Sequence, residues 1–153
     1  MKYLHLFPLI LLIICSNPAR AQSSEEEFVK SAINKLFEGM RSGDSAMVKA
    51  VFAEGAVIQT ISTKKAGVPE VVTAPLQQFL NAVGTPHTDV WDERITVDRI
   101  MVDGPLASVW TPYRFYIGER FSHCGVNSFQ LMKTAGGWKI IYLVDTRRAG
   151  DCP

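Results

Sequence analysis

Residues 107–133 read ASVWTPYRFYIGERFSHCGVNSFQLMK: two long runs rich in aromatic and β-branched residues, hinged on Gly118-Glu119-Arg120. Runs of this kind separated by a short polar turn predict antiparallel strands, here Ala107–Ile117 and Phe121–Lys133. Side chains two apart in a strand share a face. In the first run Val109, Thr111, Tyr113, Phe115 and Ile117 form one set, against Trp110, Pro112, Arg114 and Tyr116. In the second, Phe121, His123, Gly125, Asn127, Phe129 and Leu131 stand against Ser122, Cys124, Val126, Ser128 and Gln130. The set with the larger apolar groups is expected to face inward in each case, which carries His123 and Asn127 into the interior.

Two similar runs flank this pair. Trp91–Val102 precedes it across Asp103-Gly104, and Trp138–Arg147 follows it across Ala135-Gly136-Gly137. Short turns between long strands predict a meander. The first half of the chain reads differently. Phe28, Ala32, Ile33, Leu36, Phe37 and Met40 recur at helical spacing, with Ser24 and Glu27 placed as a capping box and Gly43 as the stop. A short second helix is expected from Asp44 to Gly55, with Met47, Val48, Val51 and Phe52 on one side. AVIQTIST is a strand by its β-branched content, and GVPEVVT a weaker edge strand because Pro69 withholds a donor. A third helix begins near Pro75, carries Leu76, Phe79, Leu80 and Val83, and stops at Gly84. Helices first and strands afterwards predict an α+β fold.

The order of elements, the phrase SGDSAMVKAVFAEGAVIQ and the close FQLMKTAGGWKIIYLVDTRR resemble the nuclear transport factor 2-like superfamily. Within it they are similar to small exported bacterial proteins labelled "putative lumazine-binding". The resemblance covers most of residues 25–148. It implies a cone: three helices on a strongly curved antiparallel sheet enclosing a cavity, often with a dimer contact on the outer sheet face. Such cavities serve steroid isomerases, epoxide hydrolases, polyketide cyclases and members with only a binding role, so the fold leaves the activity open. The steroid isomerases carry an aspartate base on the first strand, where this chain offers Gln59, Thr60 and Thr63. An amide does not abstract a proton, and that activity loses its main support.

Inside such a cone His123, Asn127, Tyr113, Thr111 and, at its mouth, Arg114 are the expected ligand-binding groups, with Gly125 leaving room for something to approach. Histidine exchanges a proton near neutrality, and a buried tyrosine orients it or holds a carbonyl. The plainer alternative is a core histidine satisfied by a carbonyl or a tyrosine. Asp145 and Arg147 share a face of the last strand, and a pair between Arg114 and Asp145 at the mouth would make an acid/base site; solvated strand ends are the ordinary alternative. Three readings follow: a binding protein for a small, largely apolar molecule; a cavity enzyme with His123 as proton shuttle supported by Tyr113 or Asp145; or a structural domain whose cavity is filled by Phe115, Phe129 and Leu131.

The opening MKYLHLFPLILLIICSNPARA joins a basic Lys2, the apolar run Leu6–Ile14 and a small-x-small site, Ala19-Arg20-Ala21. It reads as an export signal over residues 1–21, cleaved after Ala21, which leaves one domain at 22–153 outside the cytoplasm, secreted or periplasmic, and free of the membrane. A lipid anchor on Cys15 is the rival, against which stands the bulky Ile14 before it. Loss of Lys2 and Arg20 leaves the rest nearly neutral, and the isolated pairs Lys64-Lys65 and Arg147-Arg148 make no stripe for nucleic acid. Cys124 and Cys152 then remain as an even pair in an oxidising compartment, an expected disulfide, with two free thiols as the alternative. CxxC and HxxxH spacings are absent from the sequence, and neither a metal nor another cofactor is expected. Trp110, Tyr116 and Val126 on the outer face would suit a homodimer contact.

Overall fold

The computed structural model describes residues 18–63 and 67–153. Most of the expected export signal, and Lys64 and Lys65, lie outside the described residues. Within them the order is α1 (Pro18–Ser42), α2 (Ser45–Val51), β1 (Phe52–Ser62), β2 (Glu70–Ala74), α3 (Leu76–Gly84), β3 (Trp91–Ile95), β4 (Arg99–Asp103), β5 (Leu106–Ile117), β6 (Arg120–Thr134) and β7 (Gly137–Thr146). Three helices pack against one open, curved sheet, as the α+β reading predicts.

The strand order is β2-β1-β7-β6-β5-β3, with β4 beside β5. Every pairing is antiparallel except β1 with β7, so the sheet is mixed rather than wholly antiparallel. The parallel pair arises because the chain enters the sheet at β1, wanders through β2 and α3, and returns by a meander whose last strand lies back against the first.

Helix α1 starts earlier than the capping box implies. Ala19 to Ser23 contains nothing that stops a helix, and Pro18 sits in the first turn, where a missing donor costs nothing. Ser24 and Glu27 are therefore inside it. Its buried face is phased on Val29, Ala32, Ile33, Leu36, Phe37 and Met40, while Phe28 is 60% exposed. The helix ends at Gly43, whose φ of 69° is the left-handed cap conformation, and the Asp44 amide donates back to the Gly39 carbonyl at 2.8 Å. Asp44 caps α2 as expected, its carboxylate accepting from the Met47 amide at 2.9 Å. α2 stops at Val51 instead of reaching Gly55, since Phe52 already pairs with Ile140 of β7.

Helix α1 is tied to the sheet at both ends. The Glu25 carboxylate takes Lys133 Nζ at 2.8 Å and Trp138 Nε1 at 3.0 Å from the β6–β7 hairpin. Arg41 meets Asp92 of β3 at 2.7 Å, and Arg94 binds the second oxygen of the same carboxylate at 2.7 Å. Exposed pairs like these contribute little energy, but they define where the helix lies across the concave face.

Three irregularities bend the sheet between β3 and β7, besides the register shift of β1 against β7 between Phe52 and Val57. The expected single strand Trp91–Val102 is broken: β3 and β4 both pair with β5, out of register by one residue. The break lies opposite Pro112, whose carbonyl accepts from the Thr96 amide at 2.9 Å and whose missing N–H falls on the same side. A second shift lies between Phe115 and Tyr116 against β6, where Ser122 is the extra residue. A third lies between Gln130 and Leu131 against β7, where Ile141 is extra. Bulges of this kind add twist and turn a strand over, so each changes which residues face inward.

Candidate functional site

Strand alternation holds along β5, where Val109, Thr111, Tyr113 and Phe115 are buried. It holds along β6 from His123 to Leu131. The bulge at Ser122 breaks it above that point: Phe121 turns outward, 37% exposed, with its ring 5.8 Å from that of Tyr116. In β7 the bulge at Ile141 moves the inward phase from Trp138 and Ile140 to Leu143, Asp145 and, just beyond the strand, Arg147. Tyr142, which strict alternation would put in phase with Trp138 and Ile140, instead donates its hydroxyl to Gln59 at 2.6 Å. Gln59 also donates to Thr73 on β2 at 3.0 Å.

These phases surround a pocket of about 320 Å³ between the sheet and the helices. Leu36, Phe37 and Met40 of α1 and Phe79 and Ala82 of α3 form its roof; Trp91, Phe115, Ile117, Ile58 and Leu143 form apolar wall. His123, Asn127, Asp145, Arg147 and Glu93 bring the polar groups. His123 therefore faces the hollow, as the alternation predicts. Its ring packs edge-on to Tyr113 at 5.7 Å and tilted against Phe115 at 5.0 Å, with Nδ1 3.1 Å from the Ser122 hydroxyl.

Glu93 is the residue the sequence reading misses. It sits on β3 opposite Phe115, on the same phase as Trp91 and Ile95, and its Oε1 accepts from Asn127 Nδ2 at 2.8 Å. Burial raises its carboxyl to about 7; the Asn127 hydrogen bond works against the rise, the Asp145 charge adds to it, and Arg147 opposes it. The signal was present in WDERI: a carboxylate on the apolar phase of an alternating strand is out of place unless it has a partner or a task.

Next to it, Asp145 accepts Arg147 Nε at 2.7 Å. Burial works to lower the Arg147 pKa, but the adjacent Asp145 outweighs it and holds the guanidinium charged. The Tyr113 hydroxyl lies 3.4 Å from Asp145 and donates to the Thr146 carbonyl at 2.9 Å. Burial, followed by the Asp145 and Glu93 charges, raises its pKa, so the phenol stays protonated.

Arg114 does not join this group. It lies on the outer phase of β5 and is exposed; the partner of Asp145 is Arg147, two residues along the same strand end. Thr111 is fully buried beside Asn127 across the ladder but does not line the pocket. Nor is Gly125 an opening for a ligand. A Cβ there would meet the Thr146 carbonyl oxygen at 1.8 Å, so the space is filled by the end of β7.

Cys124, on the opposite phase, is bonded to Cys152, with Cα atoms 5.6 Å apart. The tail also pairs with β6 through reciprocal amide-to-carbonyl hydrogen bonds between Cys124 and Arg148, both 2.9 Å. The disulfide is in keeping with an extracellular or periplasmic setting. Among the described residues no helix is long and apolar enough to cross a membrane, and no cluster of histidine, cysteine and carboxylate side chains is placed to hold a metal ion.

Solved structures share this architecture. A protein of unknown function from Mycobacterium tuberculosis superposes with a TM-score of 0.72 at 16% identity, covering 90% of this chain and 79% of that one. An NTF2-like protein with a cystatin-like fold from Novosphingobium aromaticivorans gives 0.71 at 12%, covering 92% and 94%. A "putative dehydratase from the NTF2-like family" of Streptomyces avermitilis gives 0.62 at 15%, covering 84% and 99%. At these identities the likeness is one of fold. No curated protein matches the chain by sequence. The helices, the bent sheet and the pocket between them thus give the chain the fold of the nuclear transport factor 2-like proteins, and since its residues 24–144 match the family described as "Putative lumazine-binding", it belongs to that family.

Proposed function

We propose that this chain is an exported binding protein that takes a small, largely apolar molecule into the pocket between α1, α3 and the sheet, and reads one polar group of it with Glu93, Asn127 and His123. The observation that carries this reading is the pocket itself: apolar walls around a few convergent polar side chains, at a volume of about 320 Å³. Phe129 and Leu131 fill the core beneath, yet the space stays open above Phe115, which speaks against a vestigial cavity. The family description supports a small-molecule ligand without selecting a pteridine.

Thermal-shift screening of the purified protein against a metabolite library tests the reading, because a ligand that binds only the folded state raises its stability. Hits should lose their shift in Asn127→Ala and His123→Ala. A library that yields no hit sensitive to either substitution counts against it. Expression of the whole chain in a bacterial host, followed by intact mass, tests export: the mature protein should begin at Gln22.

A second reading is favoured by one observation, the Glu93 carboxyl poised near 7. Such a group takes and returns a proton at neutral pH, so a cavity enzyme would use Glu93 as acid/base, with Tyr113 and Asp145 beside it and His123 as part of the wall. The homodimer through the outer sheet face rests on exposed Trp110 and Met101, 48% and 56%. Sedimentation of wild type against Trp110→Ser tests it.

A further inference from the structure

The pocket contains two carboxylates, Glu93 and Asp145, and one guanidinium, Arg147. Arg147 Nε is committed to Asp145, so that pair is close to neutral. Glu93 has no ion-pair partner among the described residues; what it accepts is the uncharged amide of Asn127. Its other charged or titratable neighbours are few. Glu38 and Arg41 of α1 and the neighbouring Arg94 share a second hollow with it, and both guanidinium groups are held by Asp92. His123 faces it from β6, Tyr113 of β5 feels its charge from behind the pocket lining, and α3 presents only Phe79 and Ala82. Four aromatic rings stand among the aliphatic side chains of the lining, those of Phe37, Phe79, Trp91 and Phe115.

Resting on the pocket-binding reading above, we infer that the ligand is a cation, a small apolar amine in its protonated form, with its ammonium group against Glu93 and its hydrocarbon part among the aromatic rings. The physical ground is a missing charge. Glu93 is half-buried, and a carboxylate partly withdrawn from water is costly unless paired; a ligand ammonium supplies the pair the fold leaves out. The rings around it favour the same charge, since a cation is drawn to the face of an aromatic ring. An anion would meet the carboxylates of Glu93 and Asp145 against the single guanidinium of Arg147, whose Nε is already given to Asp145.

A linked event follows. Free Glu93 holds its proton for part of the time at neutral pH, whereas with an ammonium beside it the carboxylate form is favoured. Amine uptake near neutrality therefore expels a proton from Glu93 to solvent. An alcohol of the same shape releases none.

The probes are 2-phenylethylamine, 2-phenylethanol and 3-phenylpropionate, titrated calorimetrically into the purified protein. The amine should bind at least about tenfold more tightly than the alcohol at pH 8, with the carboxylate weakest. In Glu93→Gln this preference should vanish while alcohol binding persists. Independently of any variant, amine titrations of wild type near pH 7 in two buffers of different ionisation enthalpy should show net proton release. Alcohol or carboxylate binding as well as the amine, an undiminished amine preference in Glu93→Gln, or absence of proton release overturns the inference and leaves the pocket-binding reading standing. Failure of all three probes to bind counts against both.

Discussion

Asn127 Nδ2 lies 2.8 Å from Glu93 Oε1, joining β6 to the edge strand β3 across Tyr113 and Phe115 of the strand between them. A sheet ladder does not bring these side chains together, since neither strand pairs with the other. They meet because the sheet curves, and the hydrogen bond spans the inside of the bend.

The folded chain holds the Glu93 proton up to about pH 7, against 4.5 for a free carboxyl. Between those values the folded state binds a proton that the unfolded state has released. Stability is therefore highest below about pH 4.5 as far as this group is concerned, falls as pH rises through the window, and has lost the contribution above about 7; the span corresponds to about 3 kcal/mol. In Glu93→Gln this slope should disappear, and the variant should be about 2 kcal/mol more stable than wild type at pH 8, because it buries no charge. Urea melts at pH 5, 6, 7 and 8 check both. A parallel slope in the two proteins would mean that Glu93 is not the titrating group.

Asn127 donates to Glu93 and so favours its charged form. Asn127→Leu should raise the Glu93 pKa further, by about one unit, equivalent to about 1.4 kcal/mol of lost hydrogen bonding to the carboxylate. A carbon-detected NMR titration of the glutamate carboxyls reads the shift directly. An unchanged midpoint would show that the contact does not stabilise the carboxylate.

Much of this arrangement is legible in the sequence, and the exceptions have physical causes. Alternation correctly turns His123, Asn127, Tyr113 and Thr111 inward because long, regular strands keep their phase. It fails at Phe121 and Tyr142, each next to a bulge residue that leaves no mark in composition. Helical periodicity finds α1 and its inward face apart from Phe28, since a one-residue choice between Phe28 and Val29 is settled only by where the sheet lies. Glu93 was hidden for a different reason. Read as part of one long strand, WDERITVDRI mixes charges on both phases; only the break opposite Pro112 separates Glu93, inward, from the solvated Asp98 and Arg99.

Gly125 is required by packing. The Thr146 carbonyl would lie 1.8 Å from an added Cβ, and the Tyr113 ring 3.0 Å, so Gly125→Ala must push the end of β7 away. Backbone does not yield as a flexible side chain does, and overpacking of this kind costs about 3 kcal/mol. The displaced segment carries Asp145 and Arg147, so ligand affinity should fall together with the melting temperature. Differential scanning calorimetry and the binding titrations, run on one preparation, test whether both move.

The disulfide closes a loop of 28 residues that contains β6 from Cys124 onward and all of β7. Chain-entropy reasoning for a loop of that length gives a stabilisation of about 3–4 kcal/mol. Cys124→Ala with Cys152→Ala should lower stability by that order. It should also free the tail after Arg147, seen as faster amide exchange at Arg148, which the tail pairing with Cys124 now protects. Intact mass with and without reduction and alkylation shows whether the bond is present in the exported protein.

Thr111 offers the cleanest separation of packing from binding. Its hydroxyl is fully buried and has no hydrogen-bond partner among the described residues, although Asn127 is its cross-strand neighbour. An unsatisfied buried hydroxyl costs stability, while valine has the same shape without the penalty. Thr111→Val should therefore be neutral or stabilising by about 1 kcal/mol, the opposite of what a typical core substitution does. Because Thr111 lies outside the pocket lining, ligand affinity should stay the same. Destabilisation by more than about 1 kcal/mol would instead mean that the hydroxyl has a partner in solution, such as a buried water shared with Asn127, and would return Thr111 to the polar side of the site.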